Sequence, residues 1–193
     1  MSQVMSRTLV ARWQDWAGTG LQHLVLHEGP EDIVAEAVAI AATENGRPFA
    51  ARFRIVCDAG WKTRQVEAGL ISDERPLVLV GDGAGHWRDG AGVPRPDLDG
   101  AIDVDLPITP FTNTLPIRRL GLRAGESADL KVVYIVLGEG TAATAVVDPQ
   151  RYTCLEPRRR YRYAALDIDF VREIEVDADG LVVTYPEMFR RVA

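Results

Sequence analysis

Polar and apolar residues alternate one by one along most of this chain, and a period of two confines it to β-structure. Phe49, Ala51, Phe53, Ile55 and Cys57 fall on one side of an extended segment, with Arg52 and Arg54 on the other. The same pattern predicts strands over residues 8–13, 21–28, 33–42, 61–71 and 76–80, and again over 130–137, 141–147, 152–155, 158–163, 170–176 and 181–185. Asn45-Gly46 and Asp179-Gly180 are hairpin-turn signals between such runs. Alanines at 35, 37, 39 and 41 share a face and leave room for something bulky opposite. Residues 89–110 read as irregular, and Asp148-Pro149 as a break between strands. A single helix is expected over 111–120, with Thr109 as N-cap, Pro110 at the first helical position, and Gly121 beyond the end. Pro116 conflicts with a helix interior and moves the expected start towards Asn113. Together these elements predict a mainly β fold, residues 1–193 forming one domain: a large curved antiparallel sheet, or open barrel-like roll, wrapped around one α-helix.

Charge and composition exclude several roles. The net charge of −6 argues against a duplex-binding protein, so no nucleic-acid partner is expected. No apolar run approaches the ~18 residues needed to span a bilayer, and the first residues show no secretory signal. Cys57 and Cys154 are too few for a disulfide framework or a four-ligand zinc site. They read as buried reduced thiols, for which the cytoplasm is the matching compartment. His23 and His27 on one strand would lie about 13 Å apart, too far to share a metal. No nucleophilic triad, phosphate loop or dinucleotide motif is present. Catalytic residues, metal and cofactor are therefore all expected to be none.

The richest chemistry lies in Asp97, Asp99, Asp103 and Asp105. In extended chain these odd-numbered acids could share a side. A solvated acidic face, a pocket for sugar hydroxyls, a calcium site and a glycosidase pair are the readings open to them. Trp61 and Trp87 follow glycine-containing turns. Each could pack in the core or stack on the apolar face of a sugar. Arg158-Arg159-Arg160-Tyr161-Arg162-Tyr163 alternates so that the tyrosines face inward and the arginines outward. That is the pattern of an edge or outer strand; an anionic partner or nucleic acid are the other readings. The candidate ligand-binding set is Asp97, Asp99, Asp103, Asp105, Trp61, Trp87, Arg64 and Tyr161.

The strings DLDGAIDVD (97–105) and TPFTNTLPIRRL (109–120) resemble a bacterial glycolipid-binding family, formerly a domain of unknown function. Trp61 after Asp58, Gly85-His86-Trp87, Gln150-Arg151-Tyr152, Tyr161-Arg162-Tyr163, and Gly180-Leu181-Val182-Val183 running to Tyr185-Pro186 add weaker matches, while Ala101 and Thr184 depart from the family pattern. The resemblance implies a sheet wrapped round one helix, remotely like lipoprotein carriers, a tight homodimer, and an acidic pocket for a sugar or lipid head. The expected function is non-catalytic binding of a glycolipid or sugar-like molecule, the head held by Asp99, Asp103, Asp105, Trp61 and Trp87 and the acyl chain sheltered on the concave face of the sheet. The alternatives are an enzyme processing a glycoside or ester with paired carboxylates, and a structural dimer without ligand.

Overall fold

The computed structural model describes residues 6–42, 46–72, 74–138 and 142–193. Its strands are β1 (Arg7–Asp15), β2 (Leu21–Glu28), β3 (Asp32–Ala42), β4 (Pro48–Asp58), β5 (Thr63–Leu70), β6 (Leu77–Gly81), β7 (Trp87–Asp89), β8 (Asp103–Asp105), β9 (Ser127–Val136), β10 (Thr144–Glu156), β11 (Arg160–Ala165), β12 (Phe170–Val176), β13 (Val182–Tyr185) and β14 (Phe189–Val192). They form one curved sheet ordered β7-β6-β5-β4-β3-β2-β1-β14-β13-β12-β11-β10-β9-β8, not closed into a barrel. Every pairing is antiparallel except the one between β8 and β9. Asn45 and Thr141, which carried a turn and a strand start in the sequence reading, lie outside the described residues. Among the described residues no helix is long and apolar enough to cross a membrane.

Three local expectations are corrected. Residues 103–105, within the segment read as irregular, are a strand. It pairs parallel to β9 because the chain reaches that edge through a loop rather than a hairpin. Asp148-Pro149 does not interrupt β10, which runs through both residues and pairs with β9 from Thr144 to Thr153. Proline is tolerated there because the ladder to β11 begins only at Gln150. The helix α1 (Thr114–Leu120) is shorter than expected, preceded by a 3-10 turn at Pro110–Asn113. Pro116 is its third residue, where the amide would have no intrahelical acceptor, so the proline breaks nothing. Gly121, at φ 57°, ends the helix in the left-handed conformation that suits glycine.

The alternating sequence does what it predicts for packing. Ala35 and Ala37 of β3 are buried with Leu24, Leu26, Phe53 and Ile55, and Ala39 is buried too. Their bulky partner is the segment that enters α1: Leu98, Leu106, Phe111 and Leu115 belong to the same core. Phe111 is 1% exposed and Leu115 is fully buried, each adding roughly 2–3 kcal/mol of burial. The concave face opposite the alanines is thus filled by the protein's own side chains and has no room for an acyl chain. Two residues further along the helix, Ile117 joins a second core with Tyr152, Tyr161, Tyr163, Ile174 and Val182.

The two ends of the sheet meet without a ladder. The Gly100 amide donates to the Gly85 carbonyl at 2.9 Å, and the Trp87 indole donates to the Ala101 carbonyl at 2.8 Å. Gly85 has φ 99°, and a Cβ there would lie 3.1 Å from the Gly100 Cα. Both strain and backbone crowding follow from any side chain. Gly85→Ala is expected to cost roughly 2 kcal/mol or more in urea unfolding, whereas Gly92→Ala, which meets nothing within 4 Å, pays the backbone term alone.

Candidate functional site

The TPFTNT string (109–114) shows why each of its polar residues is needed. The Thr109 hydroxyl accepts the Phe111 amide at 3.0 Å and caps the turn. The Thr112 hydroxyl donates to Asp105 at 2.7 Å. Asn113 receives the buried Tyr152 hydroxyl at 2.8 Å, and Thr114 donates to the Gly180 carbonyl at 2.9 Å. The entrance to α1 is thereby fastened to β8, to β10 and to the loop before β13. Arg119 completes the attachment. Its guanidinium grips the fully buried Asp103 carboxylate with bonds of 2.6–3.1 Å.

Beside this anchored segment lies a cleft of about 470 Å³. Asp105, Thr109 and Asn113 border it on one side. Tyr134 of β9 and Val146 and Asp148 of β10 border it on the next. Tyr163 of β11, then Asp167, Ile168 and Phe170, follow, and Tyr185, Met188 and Phe189 of the last hairpin complete it. The aromatic wall is ordered by edge-to-face contacts: Tyr163 meets Tyr152, Phe170 and Tyr185 at centroid distances of 5.5, 6.0 and 6.3 Å.

Two carboxylates in the cleft share one amide. The Nε2 of buried Gln150 donates to Asp105 Oδ2 and to Asp148 Oδ2, each at 2.9 Å. Burial raises the pKa of the Asp105 carboxyl above the ordinary carboxylate range, against the hydrogen bonds from Thr112 and Gln150. Asp148 is raised too, again mainly by burial. Burial and these acids together push the Tyr134, Tyr163 and Tyr185 phenols up, so all three stay protonated donors at neutral pH.

The eight candidates from the sequence fall in different places. Asp105 borders the cleft. Asp103, two residues earlier, is spent on Arg119. Asp97 is exposed and paired with Arg95. Asp99 and Trp87 border a separate depression with His86 and Asp82. There the His86 ring lies 2.7 Å from Asp82, and amide donors with the ring hold the Asp82 carboxyl well below the usual range. Trp61 is buried at φ 64°, with the Arg118 guanidinium 4.4 Å above its ring. Arg64 donates to the Asp82 carbonyl and staples that turn. Tyr161 faces inward like Tyr163 but lies two residues earlier on β11, where its hydroxyl accepts the Arg158 amide. Arg160 and Arg162 lie on the solvent side near Glu173. Asp148, Tyr134 and Phe189 carry no binding signal in the sequence; Gln150, Tyr163 and Tyr185 stand in the family-like strings without an assigned part.

The sequence model of the family described as "Putative glycolipid-binding" matches residues 10–191. The chain belongs to that family. A crystal structure of a DUF1089 family protein from Pseudomonas aeruginosa, at 1.80 Å resolution, aligns with TM-score 0.76 and 32% identity over 90% of this chain and 92% of that one. Among curated proteins, none matches the chain.

Two outcomes follow from the carboxylates. Asp103→Asn leaves the Arg119 charge without its partner in a buried position and should cost about 3 kcal/mol or more in urea unfolding. Asp105 binds its proton more tightly folded than unfolded. Stability therefore falls as pH rises from the ordinary carboxylate value, about 3.9, through the raised folded one. Asp105→Asn lacks that loss. The stability difference between wild type and variant, measured by urea unfolding across this range, should shift in the variant's favour as pH rises.

Proposed function

We propose that this protein is a non-catalytic binder of a glycolipid or similar amphiphile, with the sugar-like head in the Asp105–Asp148 cleft. One observation carries the reading: a carboxylate pair joined by Gln150 stands against a wall of tyrosines and apolar side chains in a cleft of about 470 Å³. That volume is within the usual range for small-molecule sites. Carboxylates accept hydrogen bonds from sugar hydroxyls, and the phenols donate to ring or glycosidic oxygens. Tyr163 and Phe170 offer aromatic surface to the apolar face of a sugar. Val146, Ile168, Met188 and Phe189 extend apolar surface towards solvent for the first methylenes of a chain. Val146 is 54% and Ile168 65% exposed, so both present apolar surface at the rim of the cleft.

The position of Gln150 favours binding over hydrolysis. Paired-carboxylate glycosidases need open space between the acids for the scissile bond or a water. Here an amide nitrogen stands between Asp105 and Asp148, bonded to both. A homodimer and residence in the cytoplasm complete the reading. Exposed Val10, Leu21, Val38 and Ile40 on β1–β3 offer apolar surface for self-association. The buried Cys57 thiol, its pKa pushed up to about 12, suits a reducing compartment.

Calorimetry with octyl β-glucoside below its micelle concentration tests the proposal. Saturable binding is expected. Phe189→Asp and Asp105→Asn should each weaken it about tenfold, equivalent to about 1.4 kcal/mol, while Asp97→Asn, outside the cleft, leaves it unchanged. No nitrophenol should be released from nitrophenyl glycosides. Binding that ignores the cleft variants, or turnover abolished by Asp105→Asn, would overturn the reading.

A further inference from the structure

We infer that the head group selected by this cleft is cationic, an amine or quaternary ammonium carried on the amphiphile. The inference rests on the cleft being the binding site, as proposed above, and goes further by fixing the sign of the ligand's charge.

The first observation is the charge of the lining. Asp105, Asp148 and Asp167 border the cleft, and among the described residues no lysine, arginine or histidine does. The chain is not short of cations: 22 of its residues are lysine or arginine. Two arginines near the cleft each have an acidic partner outside its lining. Arg119 is held by Asp103, and Arg172 binds Glu187 and lies 4.6 Å over the Phe170 ring. The group that joins Asp105 to Asp148 is an amide, which carries hydrogen bonds but no compensating charge. An arginine at position 150 would have neutralised the pair; glutamine leaves its negative charge available to a ligand.

The second observation is the aromatic wall. Tyr134, Tyr163 and Tyr185 border the same cleft, together with Phe170, one face of which already carries the Arg172 guanidinium. The edge-to-face contacts of Tyr163 with Phe170 and Tyr185 fix the rings relative to one another. Electron-rich ring faces attract ammonium groups, more strongly where water is excluded. Carboxylates and aromatic rings in one cleft suit a cation better than a neutral polyol, which would leave the acids' mutual repulsion in place. An anionic head finds only uncharged donors, the phenols with Thr109 and Asn113, and three carboxylates opposing it. The raised carboxyls of Asp105 and Asp148 fit this picture, because a bound cation would draw both back towards ionisation. Asp167 and the three phenols are the other titratable groups facing them.

The experiment compares three probes of one chain length by calorimetry at low salt: octyltrimethylammonium, octyl β-glucoside and octyl sulfate. The expected order is ammonium at least tenfold tighter than glucoside, with no sulfate binding. Because the protein carries a net charge of −6, general attraction is separated by two double variants of equal charge change. Asp105→Asn with Asp148→Asn should abolish the ammonium preference. Asp97→Asn with Asp129→Asn, at exposed carboxylates paired with Arg95 and Arg151, should preserve it. If the first double variant does not fold, Asp148→Asn alone, at a half-buried position, should reduce the preference at least threefold. Glucoside binding as tight as ammonium overturns the cationic head but leaves the amphiphile reading standing. A preference that survives the cleft variants overturns the inference as bulk charge attraction. Absence of binding by all three overturns both.

Discussion

The grip of Arg119 on Asp103 is the constraint from which the cleft takes its geometry. It joins the three-residue strand β8 to the end of α1, two elements too short to hold one another by ladder or helix alone. A buried ion pair contributes little net stability, because desolvating both charges offsets their attraction. Its effect is positional. With Asp103 fixed, Asp105 projects two residues on, and Thr112, one turn before the helix, reaches it. The helix entrance in turn holds Tyr152 through Asn113, and Tyr152 abuts Tyr163 in the aromatic wall. Position is thus transmitted from one buried pair, through hydrogen bonds of 2.7–2.8 Å, to both walls of the cleft.

The sheet divides its inner face between two tasks. Over β2–β6 small and branched residues admit the segment 98–115, and the space is filled. Over β9–β14 tyrosines replace alanines, and the helix no longer covers the sheet completely. A tyrosine buries its ring while keeping a hydroxyl for a polar neighbour, so this half can border a cleft containing carboxylates. Asp105 and Asp148 tolerate their surroundings because Gln150 supplies a hydrogen to each. The cost of burying them appears as raised pKa values and persists as a local excess of negative charge.

Much of the architecture was legible in the chain. Strict alternation placed most strands and their inward faces, because the pleat sends successive side chains to opposite sides whatever the strand pairs with. Thr109-Pro110 and Gly121 marked the limits of the helical segment through local capping chemistry. Short strands such as β7, β8 and β14 escaped, since three or four residues carry too little pattern to show a period. Pro149 suggested a break because its missing amide matters only where a neighbour needs it, and the neighbour is set by tertiary pairing. Of the acidic run, equal spacing suggested equal roles, yet Asp97 meets solvent, Asp99 another depression, Asp103 an arginine and Asp105 the cleft.

By itself, then, the sequence determined a mainly β chain wrapped round one helix, the burial of the tyrosines of β11, and the importance of the 97–120 segment. These follow from local periods and caps, which act between residues a few positions apart. Only the tertiary structure decided that Asp105 finds its partner in Asp148 through Gln150, and that Tyr163 rather than Tyr161 reaches the cleft. Residues 105 and 148 become neighbours because β8 and β10 flank β9 at the edge of the sheet. No spacing in the chain encodes that proximity, because hydrogen-bonded strand order is settled by packing of the whole sheet.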